Sequence, residues 1–306
     1  MRKAARDALL VVLPVVAAMA VLPLLYGNRL LLFNFAMFMA LAQGLNLLYG
    51  FTGYLPFGYV GFFGAGAYGF ALAVLHLHAA AVPALLAAGL AALLLGLVLA
   101  PLLRLSGAYF AIASLAAAQA VYQVVANPAL EAVTKGPYGV SLAAVFAPDA
   151  SYAATLAVLA FALLLVVWLR NSRFGLGLQA IRDDPVSAAM AGVPVARMRR
   201  VAWLLSALVA GFAGGTYAWT VSVFYPEAVF DVATSIFAIV FVLFGGAGTL
   251  IGPLLGVVLL YGLYNAIGIT VPQYFQLLYG LLIMALVLFL PNGLASLLAR
   301  RGIRVP

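Results

Sequence analysis

Apolar residues run along this chain in uninterrupted stretches of about 20 residues, separated by short segments that contain proline, glycine or charges. An apolar helix of about 20 residues spans the hydrocarbon core of a bilayer, whereas a transmembrane β-strand alternates apolar and polar residues. The continuous pattern therefore predicts spanning helices rather than a β-barrel. The predicted segments are 8–26, 30–50, 58–78, 80–103, 108–127, 151–169, 201–221, 234–249, 251–269 and 274–291.

The amino-acid composition strengthens this interpretation. Of the 306 residues, 67% are apolar and only 7% are charged, and the mean hydropathy is +1.20. A water-soluble fold of this size needs more polar residues to coat its surface. The composition excludes a soluble enzyme, a disordered chain and a nucleic-acid-binding domain. It predicts an all-α polytopic membrane protein with about ten transmembrane helices, or eight to ten if segments are miscounted in pairs.

The first apolar stretch has two interpretations. Arg2, Lys3 and Arg6 precede it, and the Ala-Met-Ala run at 18–20 resembles a signal-peptide cleavage site. The apolar run continues past this point to Tyr26, which favours a retained first helix over a cleaved signal peptide.

The basic residues predict the orientation of the chain, because Lys and Arg collect on the cytoplasmic side of membrane proteins while acids matter little. With a cytoplasmic N-terminus, ten spans place thirteen of the fifteen basic residues inside and leave only Arg29 and Lys135 outside. Both termini are then cytoplasmic, and the net charge of +8 reflects topology rather than a nucleic-acid partner. The inside residues are Arg2, Lys3, Arg6, Arg104, Arg170, Arg173, Arg182, Arg197, Arg199, Arg200, Arg300, Arg301 and Arg304.

Several chemical features are missing from the sequence. The predicted spans contain no Asp or Glu, and the chain has no cysteine and only two histidines, His76 and His78. Ion-coupled transporters usually keep ionisable groups in the membrane, so this absence weakens a secondary-transporter interpretation without excluding it. The sequence also lacks a G-x-x-x-x-G-K-[ST] phosphate loop, a catalytic constellation and a metal cluster. We therefore expect a non-catalytic pore or permease without a cofactor of its own, and any ATP must bind another chain.

Residues 52–58 form a glycine- and proline-rich break between two apolar stretches. Pro56 removes a backbone donor and the glycines loosen the helix. Inside a membrane, irregular backbone occurs where protein or a water-filled cavity satisfies it, so the segment is either a packing feature or a broken or re-entrant part of a solute pathway. The candidate pathway residues are Asn46, Thr52, Tyr54 and Tyr59, together with Tyr109 and Gln119 from the segment that follows residue 106.

Small residues also recur at helical spacing in two places. A face of small residues allows two helices to pack closely, and packing is the favoured interpretation here. The first set is Gly61, Ala65 and Gly69, and the second is Gly245, Gly246, Gly248, Gly252 and Gly256, of which Gly248, Gly252 and Gly256 are predicted to share one face.

Residues 170–200 form the longest predicted cytoplasmic loop and carry six basic residues. Within it, Asp184 is a good N-cap, Pro185 suits the first helical position and Gly192 is a natural C-terminal stop, which together predict a short helix over about 185–191. A free helix this short is marginal in water, so it needs a surface to pack on. The residues alone leave two alternatives, which are the membrane surface and a cytoplasmic partner.

This loop resembles the cytoplasmic loop of permeases from branched-chain amino-acid ABC importers, and more closely the M-type permease of the pair. Three further parts of the chain agree with the resemblance in order and spacing. The matching loop segments are 172–175, 180–184 and 188–193, and the other segments are 45–50 with 62–68, 244–249 with 252–256, and 288–294.

The resemblance implies a single transmembrane permease domain over 1–306, in the bacterial inner membrane, with 170–200 as its coupling loop. Its implied partners are a second homologous permease, a periplasmic solute-binding protein and two cytoplasmic ATPases that hold ATP and Mg. The loop helix is then the coupling helix, seated on one ATPase. The implied coupling residues are Arg182, Asp183, Asp184, Pro185, Ala188, Ala189, Met190, Ala191 and Gly192.

The identity of the solute stays open, and so do two alternative functional classes. Where the family commonly has Gln, Ser and His in the break, this chain has Tyr54, Pro56 and Tyr59. This departure leaves the solute open, and the resemblance implies a branched-chain amino acid or a related compound such as urea, a short amide or a carboxylic acid. The alternatives to an importer subunit are an autonomous secondary transporter or channel, and a structural subunit of a larger membrane enzyme.

Overall fold

The structure, a computed structural model, describes residues 8–270 together with the separate residues 274, 277, 280, 281 and 284. Eight helices in this part of the chain are long and apolar enough to cross a membrane, and a shorter apolar helix, Leu10–Leu25, precedes them. The predicted all-α polytopic fold is confirmed, and nine of the ten predicted segments coincide with these helices. The tenth predicted segment, 274–291, and both chain termini lie largely or wholly outside the described residues.

The described residues contain thirteen α-helices and one small sheet, joined by short 3-10 and π turns. The two strands pair antiparallel, with Val140 opposite Phe224. The elements are α1 (Leu13–Leu25), α2 (Arg29–Leu45), α3 (Val60–Leu77), α4 (Ala81–Leu99), α5 (Gly107–Val125), α6 (Glu131–Thr134), β1 (Val140–Ser141), α7 (Pro148–Arg170), α8 (Arg173–Asp183), α9 (Pro185–Met190), α10 (Val195–Val221), β2 (Val223–Phe224), α11 (Pro226–Val229), α12 (Val232–Gly245) and α13 (Gly252–Thr270).

The helices α3, α4 and α10 cross closely because glycines lie where they meet. A Cβ atom at Gly66 of α3 would lie 2.1 Å from the carbonyl oxygen of Gly211 in α10, and one at Gly214 would lie 1.9 Å from the carbonyl oxygen of Phe63. Contacts this short leave no room for a methyl group, so these crossings require glycine. Neither Gly211 nor Gly214 is among the packing residues predicted from the sequence.

The predicted stripe of Gly61, Ala65 and Gly69 on α3 is divided between two neighbouring helices. A Cβ atom at Gly61 would lie 3.0 Å from the Cβ of Ala118 in α5, whereas one at Gly69 would lie 2.6 Å from the Cβ of Ala91 in α4. The stripe therefore serves two separate contacts.

The second predicted stripe needs a correction at Gly248. Helix α12 ends at Gly245 and α13 begins at Gly252, so Gly246 and Gly248 lie in the turn between them and Gly248 shares no helix face with Gly252 and Gly256. The φ angle of Gly248 is +83°, a left-handed conformation that favours glycine. Gly256 lies where α13 crosses α12, because its Cβ would be 2.1 Å from the carbonyl oxygen of Phe241.

Two contacts agree with the predicted sidedness of the chain. Arg29 and Asp149, both predicted outside, form an ion pair, and the Arg182 side chain donates to the carbonyl oxygen of Gly50 at the opposite end of α2. We call the end of the bundle that carries residues 171–194 the loop end, and the other the outer end.

The expectation that the spans contain no acid is wrong at the outer end. The span Pro148–Arg170 begins before Asp149, and the span Pro226–Gly245 includes Glu227 and Asp231. Both spans start earlier than the apolar pattern indicates, because α7 begins at Pro148 and the short helix α11, which begins at Pro226, precedes α12. In the described spans these acids all lie within the first six residues, so none lies at mid-span.

Candidate functional site at the helix break and the loop

The break between α2 and α3 is an unwound segment with ordered ends. Helix α2 continues as a π turn, Asn46–Gly50, and a 3-10 turn, Phe57–Tyr59, leads into α3. The hydroxyl of Thr52 donates to the carbonyl oxygen of Leu48 at 2.7 Å, and the amide of Gly53 donates to that of Tyr49 at 2.9 Å. The chain therefore leaves α2 with its last carbonyls paired, and π turns of this kind are frequent at functional sites.

Serine side chains from two other helices cap the start of α3. The amide of Gly58 donates to the hydroxyl oxygen of Ser114 in α5 at 3.2 Å, and the amide of Val60 donates to that of Ser235 in α12 at 2.7 Å. A helix that begins inside a membrane needs such partners for its first amides. A Cβ atom at Gly58 would lie 1.8 Å from the carbonyl oxygen of Ser114, so this approach depends on glycine.

Asn46 joins the two glycine-rich segments, which are about 200 residues apart in the sequence. Its side-chain amide donates to the carbonyl oxygen of Thr249 at 2.9 Å, and its side-chain oxygen accepts from the amide of Gly248 at 2.8 Å. It also donates to the side chain of Gln43 at 3.2 Å, and Gln43 donates to the carbonyl oxygen of Leu250 at 2.6 Å. Asn46 and Gln43 are fully buried, so these bonds fix the turn between α12 and α13 against α2.

Gln43 is not among the residues predicted from the sequence. Its signal was its position three residues before Asn46, which places both amides on one face of an otherwise apolar helix.

Arg182, at the end of α8, extends this network into the loop. Its guanidinium donates to the carbonyl oxygen of Gly50 at 2.6 Å, and it lies close to Gly248. We call Asn46, Gly50, Gly248 and Arg182 the junction. The junction links the end of α2, the turn between α12 and α13, and the loop.

The predicted pathway residues fall into three environments. Thr52 and Tyr54 line a loop-end cavity of about 540 Å³, and Gln119 lines an outer-end cavity of about 590 Å³. Asn46 and Tyr59 are buried with their polar groups paired, the Tyr59 hydroxyl donating to the carbonyl oxygen of Ser206. Tyr109 lines neither of these cavities and is 78% exposed on α5. A role in solute passage stays a prediction for all six residues.

The predicted short helix in the loop is α9, which begins at Pro185. The Asp184 carboxylate accepts hydrogen bonds from the amides of Val186 at 2.9 Å and Ser187 at 3.3 Å, which is the predicted N-cap. Hydrogen bonds from the Ser187 hydroxyl and these amides lower the pKa of the Asp184 carboxyl below its ordinary value, so the cap is ionised at neutral pH. At the other end, Gly192 has a φ angle of +84° and its amide donates to the carbonyl oxygen of Ala189.

A second loop helix, α8 (Arg173–Asp183), is absent from the sequence prediction. Ser172 caps it by accepting from the amide of Gly175 at 3.0 Å, and Leu178 and Ile181 are buried against the bundle. The nine predicted coupling residues lie between Arg182 and Gly192, in the last residues of α8, in α9 and in the residues that flank α9.

One face of α9 is apolar and exposed. Val186 is 66% exposed and Met190 is 85% exposed, and Ala189 is exposed between them, while Ala188 on the opposite side is buried. Residues 186, 189 and 190 follow helical spacing, so they form one face. We call Val186, Ala189 and Met190 the knob.

Removal of the Asp184 cap is expected to loosen α9. In Asp184→Ala, the amides of Val186 and Ser187 lose their acceptors, so their hydrogen exchange accelerates while exchange in α10 is unchanged. Hydrogen-exchange mass spectrometry of the purified chain measures this, with Asp183→Ala as the matched control because Asp183 ends α8 and does not cap α9. Equal exchange in the two variants would contradict the capping role.

Comparison with known protein families gives one match over most of the chain. The profile of the family described as "Branched-chain amino acid transport system / permease component" matches residues 29–287. That range includes the helix break, the junction and the loop.

Curated relatives match shorter parts of the chain. The high-affinity branched-chain amino acid transport system permease protein LivM of Escherichia coli is 28% identical over 143 residues, which are 47% of this chain and 33% of that protein. The fructose import permease protein FrcC of Rhizobium meliloti is 36% identical over 142 residues, 44% of this chain and 39% of that protein. The L-arabinose ABC transporter permease protein AraH of Azospirillum brasilense is 30% identical over 124 residues, 38% and 37% of the two chains.

These matches span between 33% and 39% of the length of each relative. No solved structure matches the chain.

Proposed function

This chain belongs to the family of branched-chain amino acid transport system permease components, and we propose that it forms one half of the solute pathway of an ATP-driven ABC importer. The other half is a second homologous permease. A periplasmic binding protein delivers the solute, and two cytoplasmic ATPases, which hold ATP and Mg, drive the cycle. The chain itself is non-catalytic and lies in the bacterial inner membrane.

The observation that carries this proposal is the knob on α9. Val186, Ala189 and Met190 present apolar side chains at the loop end, on a helix too short to be stable alone. Six arginines in 170–200 favour a cytoplasmic location for this end. An exposed apolar face on a capped helix is suited to docking in a groove of a cytoplasmic partner.

An importer subunit must also transmit movement of its cytoplasmic partner to the membrane spans, and the junction supports this role. Arg182 lies three residues before Pro185, the first residue of α9, and donates to the carbonyl oxygen of Gly50 beyond the end of α2. A movement of α9 therefore acts through Arg182 on the helix break and on the turn that Asn46 holds. Packed helices transmit such movements because they have discrete arrangements rather than continuous flexibility.

The solute is proposed as a branched-chain amino acid or a related small polar compound. Two of the relatives are named as permeases for fructose and L-arabinose, so sugars belong among the solutes to be tested. Tyr54 and Thr52 line the loop-end cavity and Gln119 lines the outer-end cavity, which supports them as the first residues to vary in a substrate screen.

Reconstitution tests the proposed class. We expect ATP-dependent uptake of labelled L-leucine, urea, fructose or L-arabinose in proteoliposomes that hold this chain with its second permease, ATPases and binding protein, and no uptake by this chain alone. The first readout is whether a binding protein and ATPases co-purify with the chain. Solute flux by the chain alone, driven by an ion or solute gradient, would overturn the proposal in favour of an autonomous transporter or channel.

A further inference from the structure

The loop-end cavity carries positive charge without a matching negative charge, and solute passage alone does not explain this. It is lined by the arginines Arg182 and Arg199 and by the first residues of α5, and it contains no acidic side chain among its described lining residues. Its volume is about 540 Å³, which is enough for a small ligand with water.

Neither arginine is neutralised in the described part of the chain. Arg182 donates to the carbonyl oxygen of Gly50, which carries no net charge. The guanidinium carbon of Arg199 lies 4.5 Å from the centre of the Tyr54 ring, and the Nε of Arg199 is buried with no hydrogen-bond partner. A ring contact covers one face of a guanidinium but provides no acceptor for its N–H groups. An unpaired buried donor of this kind is costly, which favours an acceptor that binds in the cavity.

Two acids, Asp183 and Asp184, follow Arg182 directly in the sequence, and neither lines the cavity. Asp183 is exposed. Asp184 accepts from Val186 and Ser187 as the N-cap of α9. The start of α5 adds a further positive contribution, because Ser106 makes no side-chain capping bond there and the first amides of a helix attract anions. The cavity thus combines two guanidinium groups, an uncapped helix start and no counter-charge among its described lining residues.

We propose that this cavity binds a small oxyanion, a carboxylate or phosphate group, between Arg182, Arg199 and the start of α5. The walls belong to the helix break (Thr52, Tyr54), α5, the loop and α10, so the bound anion bridges these elements. It holds the loop against the break and stabilises this arrangement of the loop end. The group comes either from a free anion of the cytoplasm or from the headgroup of an anionic lipid.

Thermal unfolding of the purified full chain in neutral detergent tests this site. We expect sodium acetate or sodium phosphate, compared with sodium chloride at equal ionic strength, to raise the Tm of the native chain. In Arg199→Gln the apparent anion affinity falls by about tenfold or more, because a charge-assisted hydrogen bond is lost. The matched control is Arg197→Gln, which removes the same charge from an exposed position on α10 outside the cavity, and its response equals that of the native chain.

Each outcome decides the proposal. A response of Arg199→Gln equal to that of Arg197→Gln overturns it, since a general salt effect acts on both variants alike. Mixed micelles with phosphatidylglycerol or phosphatidylcholine separate the two sources: stabilisation by phosphatidylglycerol without a response to free anions assigns the site to a lipid headgroup. No response to acetate, phosphate or phosphatidylglycerol overturns the site. If Arg199→Gln fails to fold, the anion response of Arg182→Gln is compared with that of Arg197→Gln instead, with the same expected result and the same overturning result. The assay needs neither ATPase nor uptake, so its failure is separate from failure of the proposed function.

Discussion

Replacing Met190 with glutamate is expected to abolish ATP-driven uptake by the assembled importer while leaving the chain folded. Met190 is 85% exposed, so the substitution removes no packing within the chain and introduces no buried charge there. In the proposed complex the same side chain lies at the centre of the α9 contact with an ATPase, where an unpaired carboxylate has to be desolvated. Such a change at a contact centre typically costs about 2 kcal/mol or more, which corresponds to a loss of roughly thirtyfold in affinity.

The measurement for Met190→Glu is twofold: co-purification of the ATPases and stimulation of ATP hydrolysis by the solute-loaded binding protein. Gln179→Glu is the matched control, because it also adds one negative charge at an exposed position of the loop, on α8 rather than on the knob. We expect Gln179→Glu to behave as the native chain in both assays. Retained uptake in Met190→Glu, at native amounts of protein in the membrane, would mean that α9 is not the docking element and would favour its alternative position on the membrane surface.

Helix α9 was predictable from the sequence because its ends are set by local chemistry. Asp184, Pro185 and Gly192 act within a few residues of their own positions, and the structure has the cap, the first helical proline and the left-handed stop as predicted. Helix α8 was not predictable in the same way. Gly175 and Gly177 lower its helix propensity. It forms because Leu178 and Ile181 are buried and because Gly175 packs so closely on Leu169 that a Cβ atom there would lie 1.8 Å from the Leu169 carbonyl oxygen.

The spans themselves followed from apolar run length, since a bilayer requires continuous helices with paired backbone groups. What the sequence left open was which polar residues meet. Asn46 bonds to Gly248 and Thr249, and Gly58 bonds to Ser114, across separations that only tertiary packing determines. Glycine spacing was likewise ambiguous, because the same four-residue repeat continues through Gly248 in a turn and through Gly252 and Gly256 on a helix.

Replacing Asn46 with alanine is expected to destabilise the loop end of the bundle. We expect the effect to be larger than for the same replacement of any other Asn or Gln in the described chain. The change removes three hydrogen bonds and leaves the Gly248 amide and the Thr249 carbonyl without their partner. Unsatisfied groups of this kind cost about 1–3 kcal/mol each, so for two groups we expect a loss of about 2–6 kcal/mol and a fall in Tm of about 5–20 °C. Thermal unfolding of the purified chain measures this directly.

The control for Asn46→Ala is Asn265→Ala, because the Asn265 side chain donates to the Tyr261 carbonyl oxygen within its own helix. Its loss is expected to cost about 1 kcal/mol or less. The same pair of variants separates the two interpretations of Asn46. If Asn46 holds the junction, its loss lowers Tm and weakens uptake of every solute alike, since the turn at Gly248 is released from α2. If Asn46→Ala instead keeps the native Tm and changes which solutes compete for uptake, Asn46 contacts solute as the sequence predicted, and its bonds to the turn are not what holds the break in place.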